Sequence, residues 1–248
     1  MPSIRTQPWT AGSLLIATVA GWLLLLWGAI DMGSPMMLLT MPRSVWTIDN
    51  WLAVFAMWAV MMAAMMLPSA APMMLSFATL NRKRDEAART LLFGTAYIVL
   101  WLAFGAAAAL AQWALQSFGL ITPMIVSTSA VLSAALLLIA GVFQFSPLKR
   151  TCLRACRSPI GFLMSDWRDG LSGAWRMGMR HGLYCLGCCW ALMLLLFVGG
   201  AMNLPWIAAL ACLVAIEKLA PRGELVAQIL GGVLIAAGVV RLAWASLA

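Results

Sequence analysis

The chain has 248 residues, 64% of them hydrophobic and 10% charged, with a formal net charge of +8. That composition excludes an ordinary soluble globular protein. The positive balance, once its distribution along the chain is considered, sets membrane topology and contact with anionic headgroups, and it gives no reason to expect a nucleic-acid partner.

The apolar residues fall into runs of about 20, long enough to cross a hydrocarbon core of roughly 30 Å. Each run must be helical, because lipid offers no partner to backbone N–H and C=O groups. Seven spans are predicted, at about 13–30, 51–80, 90–115, 124–146, 182–199, 204–219 and 225–244. The first has a longer apolar run than a typical signal peptide and no small-x-small cleavage site, so a retained helix is expected. The fold class is therefore an all-α, polytopic bundle forming one integral membrane domain over 1–248. Its N-terminus is placed in the cytoplasm and its C-terminus outside. With that orientation 14 of the 16 basic residues lie inside, and only Arg43 and Arg241 lie outside. The expected location is the bacterial inner (cytoplasmic) membrane, with lipid as an unavoidable partner. Pairs such as Gly105 with Ala109 and Ala227 with Gly231 predict close helix packing.

The loop after the first span carries Met32, Met36, Met37 and Met41. The second span continues the bias with Met57, Met61, Met62, Met65, Met66, Met73 and Met74, interrupted by Pro68 and Pro72. Met57, Met61 and Met65 follow an i, i+4, i+8 stripe, with Met62 and Met66 beside it. Methionine is a common flexible core filler, and thioethers also select Cu(I). The span reads either as a packing face or as a metal path, with the prolines expected to kink or open it.

After the fourth span, residues 147–181 form the one long inner loop. It opens with Cys152-Leu-Arg-Ala-Cys156, a C-x3-C among Lys149, Arg150, Arg154 and Arg157, a setting that favours thiolate. Its 159–179 portion spaces Trp167, Leu171 and Trp175 at helical intervals and is expected to lie on the inner leaflet, broken near Gly170 and Gly173.

The chain's one histidine and three of its six cysteines then follow in His181-Gly-Leu-Tyr-Cys185-Leu-Gly-Cys188-Cys189-Trp. At ~3.6 residues per turn, positions 181, 185, 188 and 189 share one helical face about two turns long. Imidazole and thiolate are ligands for zinc and copper. The same cysteines also suit close packing. Cys212, alone in the sixth span, is expected to be a small core residue. Glu217, at the inner end of that span, is a candidate hard ligand, a proton acceptor or the partner of a basic residue. No residue is assigned a catalytic role.

The strings MWAVMMAAMMLPSAAPMM (57–74), SPLKRTCLRACRSP (146–159), RMGMRHGLYCLGCCWALMLLLFVGGAMNLPW (176–206) and EKLAPRG (217–223) resemble an uncharacterised bacterial family of predicted metal-binding integral membrane proteins. The resemblance runs from about Trp51 to Gly238. It implies a polytopic bundle with metal ligands and leaves the metal and the reaction open. It carries over Cys152, Cys156, His181, Cys185, Cys188 and Cys189 as the ligand set, with Met61, Met62, Met65 and Met66 as the recurring methionine block.

The expected function is soft-metal binding, Cu(I) ahead of Zn(II), for transport or for delivery to a membrane metalloenzyme, with a metallochaperone as a further partner. Thioethers outside and within the membrane would lead a metal toward stronger thiolates inside. The alternatives are a membrane thiol–disulfide redox protein using Cys152/Cys156 and Cys185/Cys188, or a non-catalytic assembly subunit.

Overall fold

The computed structural model describes residues 8–31, 33–41, 46–81, 86–122 and 124–247. Met32, Arg43, the basic residues at 5 and 82–84, and the side chain of Met36 lie outside them. Eleven helices make up the described architecture, with one isolated bridge, Ile121 to Ser127, as its β element.

The first helix, α1 (Pro8–Ile30), leans on α3 (Ile48–Leu80), where Gly21 meets Ala64 so closely that a Cβ would sit 3.0 Å from the alanine's. Between them, α2 (Pro35–Thr40) is a short helix capped by Ser34. A capping box starts α3: the Thr47 hydroxyl accepts from the Asn50 N–H while the Asn50 side chain accepts from the Thr47 N–H. Pro68 and Pro72 lie inside this helix and do not end it.

Around α3 pack α4 (Glu86–Ser117), α10 (Leu204–Leu219) and the short α7 (Pro159–Asp166). Between α7 and α10 in sequence come α8 (Gly170–Met193) and α9 (Leu196–Gly199). The final helix, α11 (Gly223–Leu247), lies along α5 (Ala130–Phe143), and α6 (Pro147–Arg157) packs on α8. Glycines set the closest crossings. A Cβ on Gly178 of α8 would stand 2.3 Å from the Phe93 carbonyl oxygen of α4, and Gly141 and Gly231 each face the other's carbonyl oxygen at 3.0 Å from the Cβ position.

Five helical stretches are long and apolar enough to cross a membrane: α1, α3, α4, Gly170–Gly199 (α8 with α9) and Gly223–Ser246 of α11. A sixth is reached when α5 and α6, bent by 65° at their junction, count as one span. Seven were expected, and two differences account for the discrepancy. The predicted sixth span forms α10 as placed, but it has 16 residues, shorter than a full crossing. The predicted fourth span, 124–146, is helical only over the 14 residues of α5, and Ser146 then caps a new helix with Pro147 in its first turn, which carries the Cys152/Cys156 segment off at 65°. The long inner loop is helical over most of its length. α8 starts at Gly170, whose φ of +77° makes the corner after Trp167–Asp169, twelve residues before the predicted start of the fifth span.

Gly178 provides a direct check on this packing. Gly178→Ala must push α8 from α4 and should cost about 1–3 kcal/mol, read as a lower thermal midpoint in detergent. Gly232→Ala, at a position with nothing within 4 Å, should leave the midpoint unchanged.

Candidate metal centre

The α8 face predicted from spacing is real, and it is turned inward. His181, Cys185, Cys188 and Cys189 are each 1–2% exposed. Because α8 is pinned to α4 through Gly178 and to α6 on its other side, this face meets side chains from four other helices.

From α3 comes Met66. Its thioether lies 3.9 Å from Cys189 Sγ, and its carbonyl oxygen accepts from the hydroxyls of Ser69 (3.0 Å) and Tyr97 (3.3 Å). From α4 comes Tyr97, whose hydroxyl also lies 3.1 Å from Cys185 Sγ. From α10 comes Lys218. Its ammonium donates to Cys185 Sγ at 3.0 Å and to Ser69 Oγ at 3.1 Å, and stands 4.0 Å from Met66 Sδ. From α6 comes Cys156, partly buried, whose side chain interacts with the thiols of Cys185 and Cys188. Four thiols, a thioether, an ammonium and a phenol are thus linked by a chain of pairwise contacts.

All six cysteines are free thiols. The thiols of Cys188 and Cys189 both donate to the Cys185 carbonyl oxygen at 3.0 Å. Among the described residues, no three His, Cys, Asp or Glu side chains are drawn together at metal-holding separations. The sulfurs are neighbours, with two of them turned onto the backbone.

The other expected residues are distributed around this point. His181 is stacked against Tyr97 and Phe93 at centroid distances of 5.4 and 5.9 Å, and both its ring nitrogens are buried without a hydrogen-bond partner. Cys152 is buried one turn back on α6, its sulfur against Gly187. Met61, Met62 and Met65 are buried in the core. Met57 lies further along α3 and helps to line a cavity of about 140 Å³ with Met37, Met202, Trp27 and Gly28. Glu217 is fully engaged elsewhere: Lys149 Nζ donates to it at 2.5 Å and Gln144 Nε2 at 3.0 Å. Of the readings open to it, partnership with a basic residue is the one the structure displays, and that residue is a lysine of α6. Cys212, expected in the core, is exposed.

Sequence reasoning missed Tyr97, Ser69, Lys149 and, above all, Lys218. The signals were available. Tyr97 is one of two tyrosines in the chain and sits in the middle of an apolar span, and Lys218 follows Glu217 directly. Successive helical residues point about 100° apart, so this acid and base face different neighbours and do not pair with each other.

Residues 55–241 match the PpoB2 family, whose description is copper chaperone. The chain belongs to this copper chaperone family. The matched region contains the sulfur cluster and the residues that contact it, from Met66 to Lys218. Searches of curated proteins and of solved structures find no match. Family membership makes the function copper-related.

The buried Lys149–Glu217 pair ties α6, and with it Cys152 and Cys156, to α10. Lys149→Met alone leaves an unpaired buried carboxylate and should destabilise by about 3–5 kcal/mol. Lys149→Met with Glu217→Leu removes both charges and should recover most of that loss, as read by chemical unfolding in micelles.

Proposed function

We propose that this protein is a membrane-embedded Cu(I) chaperone. It takes the ion from the side of Met37, Met57 and Met202, passes it along the buried methionines of α3, and holds it at the α8 thiols for delivery to a membrane metalloenzyme or a soluble metallochaperone. Its setting is the bacterial inner membrane, N-terminus in the cytoplasm, as the distribution of basic residues suggests. Zn(II) is the second-ranked cargo.

The observation that carries this reading is the meeting of Met66 Sδ with Cys189 Sγ at 3.9 Å, beside Cys185, Cys188 and Cys156. Soft sulfur donors select Cu(I), and a thioether handing on to thiolates provides a gradient from weaker to stronger ligand. Two thiols held on a backbone carbonyl can rotate onto an arriving ion without a helix moving. His181, with two unpartnered nitrogens in an aromatic sandwich, is the available nitrogen donor at the edge of the site. Cys152 and Cys156 supply the exit side, on a helix bent away from the span before it.

Anaerobically purified protein in detergent should take up Cu(I) stoichiometrically, measured by elemental analysis after desalting against a weak chelator. A Cys185/Cys188/Cys189→Ser triple variant should lose it. Met66→Leu should weaken Cu(I) binding by about tenfold, or 1.4 kcal/mol, while Met73→Leu should not. Wild-type protein that takes up neither Cu(I) nor Zn(II), or a triple variant that binds as wild type does, would overturn the proposal.

A further inference from the structure

Away from the sulfur cluster, Asp166, Arg168, Arg176, Met177 and Arg180 line a cavity of about 130 Å³ at the corner between α7 and α8. Arg176 and Arg180 stand one turn apart on α8 and so share a face. Arg168 is held in place by the corner itself. Its carbonyl oxygen accepts from Arg89 Nη2 at 2.9 Å, and its N–H donates to Met177 Sδ at 3.3 Å. Gly173 lies so close that a Cβ there would stand 2.6 Å from the same carbonyl oxygen. The backbone at 168 is thus fixed, while Arg168, Arg176 and Arg180 all remain exposed. Asp166 pairs with Arg180, and Asp169, beside the cavity in sequence, accepts from the Trp167 indole at 3.3 Å. Counting both acids, three arginines still outnumber two carboxylates, and Arg89 adds a fourth cation at the Arg168 carbonyl. Like charges gathered around one small cavity repel, and an anion placed among them relieves that repulsion.

The helices that meet at this corner also expose aliphatic side chains. Ile160 and Met164, one turn apart on α7, are 57% and 78% exposed, and Leu171 in the first turn of α8 is 48% exposed. The other face of α7, Phe162 and Leu163, is buried. With eight residues α7 is too short to cross a membrane. Arginines beside exposed aliphatics on a short helix suit the boundary between headgroups and acyl chains. We infer that this cavity binds the phosphate of an anionic phospholipid, with Ile160, Met164 and Leu171 in the adjoining acyl region. Guanidinium groups match phosphate through paired N–H donors, and basic pockets between membrane helices recognise such headgroups. The exposed aliphatics favour a lipid over free phosphate, which would use the charges and leave those side chains uncovered. A lipid held here braces α7 against α8. Phe162 of α7 and His181 of α8 lie 5.9 Å apart between ring centroids, so the braced corner adjoins the histidine edge of the metal centre. The lipid site stands whether or not copper is the cargo.

The test titrates delipidated protein in a mild detergent with phosphatidylglycerol or phosphatidylcholine and reads the bound lipid by native mass spectrometry. The wild type should hold phosphatidylglycerol about tenfold more tightly than phosphatidylcholine. Arg168→Gln with Arg176→Gln should weaken phosphatidylglycerol by on the order of thirtyfold and bring the two lipids together. Arg150→Gln with Arg222→Gln removes the same charge from exposed positions off the cavity and should leave the preference in place. If the first pair does not fold, Arg176→Gln alone reads the same comparison at about a fivefold loss. Inorganic phosphate at the concentration of the lipid should not displace it. Equal retention of the two lipids by the wild type, equal loss in the off-cavity pair, or displacement by inorganic phosphate would overturn the inference.

Discussion

Inside a bundle whose helices are apolar nearly all round, a polar side chain has only the other helices to bond with, and the arrangement of this protein follows from how few such groups there are. Trp58 reaches Gln112 across the α3–α4 contact at 2.8 Å. Glu217 gathers Lys149 and Gln144 and so holds the bent α5–α6 arm to α10. Lys218, one residue on, reaches the opposite way, to Ser69 of α3 and Cys185 of α8. Two adjacent charges on α10 therefore fasten both halves of the sulfur site: the arm that bears Cys156 and the helix that bears the other thiols. Unpaired, either charge would cost several kcal/mol in such surroundings.

The site also depends on close helix approach. Gly178 lets α8 lie against the Phe93 carbonyl, which places Tyr97 over His181 and next to Cys185. On the other side Gly187 accepts the Cys152 sulfur. Those two contacts close the α8 face on two sides, and Met66 brings a thioether to its Cys189 thiol. The α3 methionines divide by position. Met66 touches thiols, Met61, Met62 and Met65 lie in the core, and Met57 borders a cavity at the other end with Met37 and Met202. Packing and path, which were alternatives on sequence grounds, are compatible: a methionine can fill the core and still present sulfur to its neighbour.

Much of this was legible beforehand because helical period is a local property. The spacing 181, 185, 188, 189 puts four side chains on one face whatever else the chain does, and the face is there. Helix positions came largely from apolar runs, which are also local. The failures were long-range or depended on helix ends. Residues 124–129 read as part of an apolar run but precede the Ser129 cap that starts α5, so the span predicted over 124–146 is a helix of 14 residues. The 16 residues of α10 look like a span by composition and are short by length. Cys212 was assigned inward because cysteine is usually buried, but its position on α10 faces outward. Lys218 was overlooked beside Glu217 because the partners of both lie between 33 and 149 residues away in sequence, where no local pattern reports them.

The proposed Cu(I) site draws its sulfur from α3 and α8, helices far apart in sequence. X-ray absorption at the copper edge, on wild-type protein loaded anaerobically with Cu(I), examines the first shell directly. A shell dominated by sulfur, with at most one imidazole nitrogen and with sulfur lost on Met66→Leu, is the predicted result. A shell of oxygen or nitrogen donors, or a sulfur shell unchanged when Met66 and the α8 cysteines are replaced, would contradict it.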